Sequence, residues 1–370
     1  QMQLIKAPRD TLLKPLTTVA GIVERRHTLP ILANILLRKE GSKVSFIATD
    51  LEVQITTTSN FGVDDTNVAL TVAARKLLDI FRSLPDTGEV TLSQSANKLA
   101  VQSGKSRFAL QTLGASEFPT LSEPESIAVS VTMTQKTLKH LFAMTHFAMA
   151  QQDIRYYLNG TLVVFESDTL RAVATDGHRL AHCSAKIQGP AETSEIIIPR
   201  KTVLELQRLL SDSEEPVSIA VGTGQVKFTF GQVEVISKLV EGKFPDYKRV
   251  IPNDYTRHFD VSREALLGSM QRAAILTTDK LRSVRFQIGD NALIASSTNA
   301  EQEEALEEID IDYNDEPLDV GFNVSYLLDF LSNLKDDTVR WSVRPDSNAS
   351  ALLTLPDDST FQYVVMPMRI

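Results

Sequence analysis

Apolar residues recur at helical spacing in six stretches of the chain, 8–26, 74–84, 134–150, 200–211, 262–280 and 323–334. Each stretch predicts an amphipathic helix. Between them lie short runs in which apolar and polar positions alternate, among them Lys43–Thr49, Val53–Thr58, Glu89–Leu92 and Leu99–Ser103. A period of two predicts half-buried strands. Leu170–Ala174 and Ala181–Ala185 read as two more strands, and Asp176-Gly177 between them is a turn signal.

That turn has relatives. Thr175-Asp176-Gly177-His178-Arg179-Leu180 is echoed by Ile47-Ala-Thr-Asp-Leu-Glu52 and by Ile294-Ala-Ser-Ser-Thr298-Asn299. Thr49, Thr175 and Thr298 are separated by 126 and 123 residues. The helical stretches beginning at Arg75, Arg200 and Asn323 recur at offsets of 125 and 123, and Phe118-Pro119, Phe244-Pro245 and Met366-Pro367 at 126 and 122. An earlier helix opens each interval. Landmarks recurring at one spacing imply repeated units. They predict three domains of one fold, 1–127, 128–256 and 257–370, with linkers at Gly114–Glu125 and Glu241–His258. Two helices and about eight short strands per unit make the fold class α+β, with the helices packed on one face of short-stranded antiparallel sheets. Duplication can serve size alone. Linkers this short favour a curved, quasi-symmetric chain, and curved chains meeting head to tail close into rings when the rotation fits.

Charge changes the picture more than composition does. The chain has 370 residues and a formal net charge of −9. The six helical stretches hold fifteen basic and seven acidic residues, a surplus of eight, so the remainder carries −17. Helices sharing one face would make that face basic on an acidic protein, a surface suited to tracking phosphates. Basic residues in first turns also simply solvate helices. The acidic excess peaks at Glu301–Asp319, which holds ten acids and no base. Glu308, Asp310 and Asp312 alternate there with Ile309, Ile311 and Tyr313, which predicts a strand with one wet face. Lys105 and Arg107, with Lys76, are a suitable basic partner. No long apolar run supports a membrane span. A single cysteine, Cys183, and no visible export signal point to a reducing cytoplasm.

Tests for chemistry come out negative. Ser103-Gly-Lys-Ser106 lacks the earlier glycine of a phosphate-binding loop, because Leu99 stands there. Gly222-Thr-Gly224 lacks the third glycine of a dinucleotide fingerprint. His178, His182 and Cys183 are too few and too clustered for a zinc site. A hydrolase using Asp176 and His178, or a Cys183/His178 nucleophile pair, competes with plainer readings. Those are a backbone-bonding turn for Asp176 and a buried strand position for Cys183. No enzyme, metal or cofactor is expected, and a sequence-specific DNA-binding protein remains an alternative. Two stretches exceed a scaffold. Val364-Val-Met-Pro-Met-Arg-Ile370 is an apolar chain end that suits a groove accepting varied partners. Gln151–Leu158 carries adjacent Tyr156 and Tyr157, and on a strand one would pack inward while the other met a ligand. Two ordinary strand aromatics are the alternative.

Six motifs together resemble the bacterial DNA sliding clamp family, the β subunits of DNA polymerase III. They are Thr28-Leu-Pro-Ile-Leu32, Gln152-Asp-Ile-Arg-Tyr-Tyr-Leu-Asn-Gly160, Ala174-Thr-Asp-Gly-His-Arg-Leu180, Ser237-Lys-Leu-Val-Glu-Gly-Lys-Phe-Pro-Asp-Tyr247, Gly321-Phe-Asn-Val-Ser-Tyr326 and Tyr363-Val-Val-Met-Pro-Met-Arg369. The resemblance spans essentially the whole chain. It implies a head-to-tail homodimeric ring around duplex DNA, a processivity factor with no chemistry of its own. It also implies a peptide pocket at Leu158, Thr175, Gly177, His178, Arg179, Leu180, Pro245, Arg249, Val250, Ser350, Val364, Val365, Met366, Pro367, Met368, Arg369 and Ile370. Replicative and translesion polymerases, the clamp loader and repair proteins would insert Gln- and Leu/Phe-bearing segments there. DNA contacts would fall on Arg26, Arg75, Gln152, Tyr156, Tyr157 and Arg200. Dimer contacts would pair Lys76, Lys105, Arg107 and Leu110 with Ile275, Leu276, Glu301, Glu303, Glu304, Glu307 and Glu308. The chain ends in Ile370 where the family pattern leads one to expect leucine, which keeps the position apolar.

Overall fold

The structure, a computed structural model, describes residues 1–25 and 29–369. Three times the described chain runs through one order: strand, helix, four strands, helix, three strands. The first pass is β1 (Met2–Pro8), α1 (Arg9–Ala20), β2 (Asn34–Glu40), β3 (Lys43–Thr49), β4 (Val53–Ser59), β5 (Asn67–Ala73), α2 (Ala74–Ser83), β6 (Glu89–Ser95), β7 (Lys98–Ser103) and β8 (Ser106–Gly114). The second is β9 (Val129–Thr134), α3 (Gln135–Ala143), β10 (Gly160–Phe165), β11 (Thr169–Thr175), β12 (Arg179–Lys186), β13 (Ser194–Pro199), α4 (Arg200–Leu209), β14 (Pro216–Val221), β15 (Gln225–Phe230) and β16 (Val233–Lys238). After a helical turn, α5 (Tyr247–Val250), comes the third: β17 (Arg257–Ser262), α6 (Arg263–Ala274), β18 (Ser283–Gly289), β19 (Ala292–Thr298), β20 (Glu304–Asp310), β21 (Leu318–Asn323), α7 (Val324–Ser332), β22 (Thr338–Val343), β23 (Ala351–Leu355) and β24 (Asp358–Val365). The predicted α+β class holds. The same order in each pass makes this a three-domain fold.

Each repeat contributes two antiparallel sets of four strands. In the first they run β5-β2-β3-β4 and β1-β6-β7-β8, and the second and third repeats use the corresponding strands in the same orders. Sheets do not stop at repeat boundaries. β4 pairs with β16, so twelve strands form one sheet, and β12 pairs with β24, so eight form another. Compactness therefore divides the chain across the second repeat. Gln1–Leu138 with Leu204–Leu239 forms one unit, and Lys139–Val203 with Val240–Ile370 forms the other. In the second unit, β20-β19-β18-β21 is a separate four-stranded sheet.

The helices are shorter than their apolar periodicity implies. α1 stops at Ala20 rather than at 26, with Gly21 as its cap. α3 stops at Ala143 rather than at 150; Thr145 Oγ1 bonds back to Leu141 O at 2.7 Å and Ala150 N donates to Leu158 O, which draws the chain out of the helix. α6 stops at Ala274 rather than at 280, and Thr277 Oγ1 takes the Ala274 carbonyl at 2.7 Å. Burial follows helical spacing inside each. α2 buries Ala74, Leu77, Leu78 and Phe81, and α7 buries Val324, Leu327, Phe330 and Leu331. As observed, the six repeat helices hold twelve basic and five acidic residues, so the charge bias survives their shortening.

Two other expectations change. The stretch 241–258 is not a plain linker: Phe244 and Tyr247 are buried, α5 forms, and Arg257 and His258 begin β17. In the earlier linker Phe118 is likewise buried. Gln151–Leu158 is not a strand. It contains a 3-10 turn, Tyr156–Leu158, because Leu158 N closes onto Arg155 O. Tyr156 is exposed and Tyr157 half-buried, but the cause is the turn's three-fold geometry rather than strand alternation.

The third repeat is cored by Trp341, fully buried, whose ring lies 5.6, 5.3 and 5.9 Å from Phe259, Phe286 and Phe322. It is the only tryptophan in the sequence, so its fluorescence reports this core. Phe286→Ala should destabilise the core by about 3–5 kcal/mol. Urea unfolding followed by tryptophan emission should show a lower midpoint, and an unchanged midpoint would mean that this cluster does not limit stability.

Candidate functional site

The Asp176 turn is closed by hydrogen bonds within its own residues. Asp176 Oδ1 accepts from His178 N and Arg179 N at 2.9 and 3.1 Å, and Thr175 Oγ1 donates to Arg179 O at 2.6 Å. Asp50 and Thr49 make the same bonds to Glu52, Val53 and the Val53 carbonyl. Asn299 Oδ1 accepts from Glu301 N and Glu303 N, in a turn one residue longer. The motif is therefore scaffold in all three repeats.

Its second copy has additions. Leu51 holds φ 78°, so the turn tolerates a side chain at the place of Gly177, where φ is 90°. A Cβ on Gly177 would lie 3.0 Å from Nη1 of Arg155. Glycine here makes room for Arg155, which lies across the turn and donates from Nη2 to Asp176 O at 3.3 Å. Arg155 is braced in turn by Asp153, through Nε at 3.1 Å and Nη2 at 3.0 Å.

β12 leaves the turn and pairs with β24, with Leu180 opposite Val364 and Arg179 opposite Val365. Met366 N donates to His178 O at 2.9 Å, and Met368 N to Gly321 O at 2.8 Å, so the apolar chain end is docked, not frayed. Pro367 lies just past the strand's end. Arg179 is the tie-bar of this corner. Its guanidinium reaches Asp176 Oδ2 at 3.2 Å and Asp329 Oδ2 at 2.6 Å and sits 4.5 Å from the Tyr326 ring centroid. Burial opposes its charge, but Tyr363, Asp329 and Asp176 outweigh that and raise its pKa further.

Above this corner opens a cavity of about 360 Å³. Leu158, Thr175, Gly177, Arg179, Leu180, Pro245, Arg249, Val250, Ser350, Val364 and Met366 line it, eleven of the residues expected there. Leu158, Leu180 and Val364 are a buried apolar floor, while Met366 is 42 % exposed at the mouth. An apolar floor with a few polar groups at its edge is the usual form of a ligand groove. The other expected residues lie around it. His178 is exposed and stacks on Tyr326, with centroids 6.3 Å apart. Val365 is buried and alternates away from Val364 along the strand. Pro367, Met368 and Arg369 follow the docked end without lining the cavity, and Ile370 lies outside the described residues. Arg155 and Tyr157 line the cavity without having been expected to. Tyr157, which the resemblance places at DNA, borders the cavity, and the Asp153-x-Arg155 spacing that braces Arg155 is the sequence signal for the other.

Of the expected DNA residues, Arg75, Gln152 and Tyr156 are exposed, and Arg26 lies outside the described residues. Arg200, at the start of α4, is half-buried; that burial and the nearby Arg179 lower its pKa. Among the expected dimer residues, Lys76, Lys105, Arg107, Glu301, Glu303, Glu304 and Glu308 are exposed, while Leu110 and Leu276 are half-buried. Ile275 is 75 % exposed at the end of α6. Glu307 differs from its neighbours. Strand alternation turns it towards α6, where Arg272 Nε donates to it at 2.7 Å and holds its carboxyl below the usual range. Its charge is spent within the chain.

The groups that could suggest a hydrolase are engaged in structure. Both Asp176 oxygens are committed to the turn and to Arg179. Cys183 is buried and its thiol is pushed up to about 12, so it supplies no thiolate. Among the described residues no group of three His, Cys, Asp or Glu converges as a metal site, and no helix is long and apolar enough to cross a membrane.

Known proteins share this architecture. The family models of the DNA polymerase III β subunit match as an N-terminal domain over residues 2–122, a central domain over 132–246 and a C-terminal domain over 248–369. The chain is 46 % identical to the β sliding clamp of Pseudomonas putida and 42 % identical to that of Escherichia coli, covering 98 % of both chains in each case. It superposes on a Pseudomonas aeruginosa sliding clamp bound to griselimycin with a TM-score of 0.95 at 44 % identity over the full length of both. A Caulobacter crescentus clamp gives 0.91 at 36 % identity, again over both full chains. Three repeats of one fold, matched along their whole length, make this chain a member of the bacterial sliding clamp family, the β subunits of DNA polymerase III.

Proposed function

We propose that two copies close head to tail into a ring around duplex DNA and that the ring acts topologically, without catalysis. One observation carries this. Twice the strand that follows the Asp/Asn turn pairs with the last strand of the next repeat, as β4 with β16 and β12 with β24. Among the described residues the third such strand, β20, ends its sheet, and the last strand of the first repeat, β8, has its 106–111 segment paired only with β7. An open edge is a template for another strand. β20 of one copy and β8 of a second complete the series. Exposed Ile275 and half-buried Leu276 would pack beside this seam, and Lys76, Lys105 and Arg107 would face Glu301, Glu303, Glu304 and Glu308. Domain limits of 1–127, 128–256 and 257–370 follow from the same periodicity.

The cavity beside Leu180 and Val364 would take Leu and Phe anchors from polymerases, the clamp loader, translesion polymerases and repair proteins. Arg155 and Arg249 at its edge favour acidic residues beside those anchors. Arg75, Arg200 and Gln152, with Tyr156, would meet duplex DNA through its backbone, and Arg26 would join them. Few such contacts made at once leave the ring free to slide. A cytoplasmic site of action fits this reading.

The first junction sets the register of the seam. Gln54 pairs with Ile236. Glu304 holds the place of Gln54, and Ala109 that of Ile236 when counted from the hairpin turn. Ala109→Cys combined with Glu304→Cys should therefore form an intermolecular disulfide under mild oxidation, since facing Cβ atoms in such pairs lie about 4.5–5.5 Å apart. Non-reducing electrophoresis should show the covalent dimer, and each single variant should not form it. Cross-linking only in a shifted register would refute this seam.

On DNA, the ring should remain on closed circles and run off linear duplexes, with retention weak in salt and indifferent to sequence. Gln152→Ala should shorten retention on circles without altering the dimer. Equal retention on circular and linear DNA would exclude topological linkage.

Removal of Met366–Ile370 takes away the mouth of the cavity but leaves β24 intact through Val365. Anchor residues typically contribute about 2 kcal/mol or more, so affinity for a fluorescent Gln- and Leu/Phe-bearing peptide should fall at least about 30-fold, while loss of the two docking bonds lowers stability by only about 1–3 kcal/mol. Undiminished affinity would put the peptide elsewhere.

A further inference from the structure

His182 lies two residues beyond Leu180 on the same face of β12, directly opposite Gln362 of β24. Leu180 and Val364 form the groove floor, so His182 and Gln362 continue that floor beneath α5. The imidazole is buried and stacks on Tyr247, with centroids 5.7 Å apart and planes 16° from parallel. Tyr247 opens α5 and packs in one cluster with Leu158, Leu180 and Val364. Pro245, Arg249 and Val250, on either side of Tyr247, form a wall of the groove.

The hydrogen bonds choose one form of the ring. Gln362 Nε2 donates to Ser359 O at 2.9 Å, which turns its Oε1 towards His182. His182 Nδ1 then donates to that oxygen at 2.6 Å. On the far side Arg171 Nη1 lies 3.3 Å from Nε2 and donates to it, while Arg171 Nε is held by Glu166 at 2.5 Å. The ring is neutral, with its proton on Nδ1. A second proton, on Nε2, would point at a guanidinium N–H. Charged or titratable groups reach this corner from every side: Arg171 and Glu166 from β11 and the turn before it, Tyr247 from α5 and Asp246 just before it, and Glu195 from β13. Burial, aided by Arg171, lowers the imidazole pKa, and Gln362 and Glu166 only partly offset it.

We propose that His182 is a positioning residue for the peptide groove: in its neutral form it holds Tyr247, and through it α5, against the groove floor. This rests on reading the cavity as a peptide site. Protonation breaks the Arg171 bond, loosens the stack and lets the α5 wall move. The sign follows from the geometry: Nε2 accepts from Arg171 only when it carries no proton. Binding is full above the ordinary imidazole range and weakens as pH falls below it.

The test is a pH series of peptide titrations with the wild type, His182→Gln and His182→Ala. Wild-type Kd should be flat above the ordinary imidazole range and rise as pH falls below it, approaching one decade per pH unit once His182 is largely protonated. His182→Ala should bind weakly at every pH. His182→Gln can donate and accept in the same two directions and does not ionise. It should recover most of the wild-type affinity and lose the part of the pH dependence that His182 carries. Superimposable profiles for wild type and His182→Gln would overturn the proposal. Peptide-free NMR separates this from failure of the groove itself. Tyr247 ring and Val250 methyl signals should move with the His182 titration in the wild type and stay fixed in His182→Gln. If they ignore that titration the positioning role is wrong, whether or not any peptide binds. If they follow it while no peptide binds at any pH, only the peptide reading fails.

Discussion

Antiparallel backbone pairing across repeat boundaries is the constraint on which the rest of this structure depends. A sheet edge leaves a row of N–H and C=O groups without partners. The chain resolves this by lending the last strand of one repeat to the sheet of the one before, as β16 to β4 and β24 to β12. The two pairings share one geometry: Lys238 N bonds Glu52 O, and Met366 N bonds His178 O. Sheet continuity, not the repeat, is thus the unit of compactness, which is why the second repeat is divided between two compact units.

The groove is a modification of that joint. At the first junction Gln54 stands where the second has Leu180, Leu51 where it has Gly177, and Lys238 where it has Met366. Gln54 Oε1 accepts from Leu121 N at 2.8 Å, so the following segment is tied down to the joint. At the second junction leucine offers no such bond. The following segment coils into α5 and stands as a wall, with an apolar floor beside it. Replacing a hydrogen-bonding side chain with an apolar one leaves an apolar-floored cavity where the first junction has a closed seam. Arg179 makes the exchange stable by tying the turn to α7 through Asp329 and Tyr326.

Charge is arranged with equal economy. The repeat helices are basic on a chain of net charge −9, and the acidic excess gathers around β20. Groups that look reactive in isolation are consumed by structure: Asp176 by its turn, Cys183 by the core, His182 by Gln362 and Arg171.

Much of this was legible in the order of residues. Periodicities of two and near 3.6, recurring at about 125 residues, determined the class, the repeat and the positions of the helices, because local burial patterns are written along the chain. The Asp176 turn was readable for the same reason: its bonds are made within four residues. Motif resemblance located eleven of the cavity's residues. Helix ends were not legible, because apolar runs such as Met144–Ala150 continue past the last helical bond and only bonds to distant residues draw the chain away. Nor was the strandlike look of Gln151–Leu158 reliable, since the Asp153–Arg155–Asn159 bonds fold it into a turn. Which strand edges meet, that Arg155 crosses Gly177, that Glu307 is taken by Arg272 and that His182 underlies Tyr247 were decided by the tertiary structure alone. Those pairings join residues tens to nearly two hundred positions apart, and such contacts leave no periodic trace in the sequence.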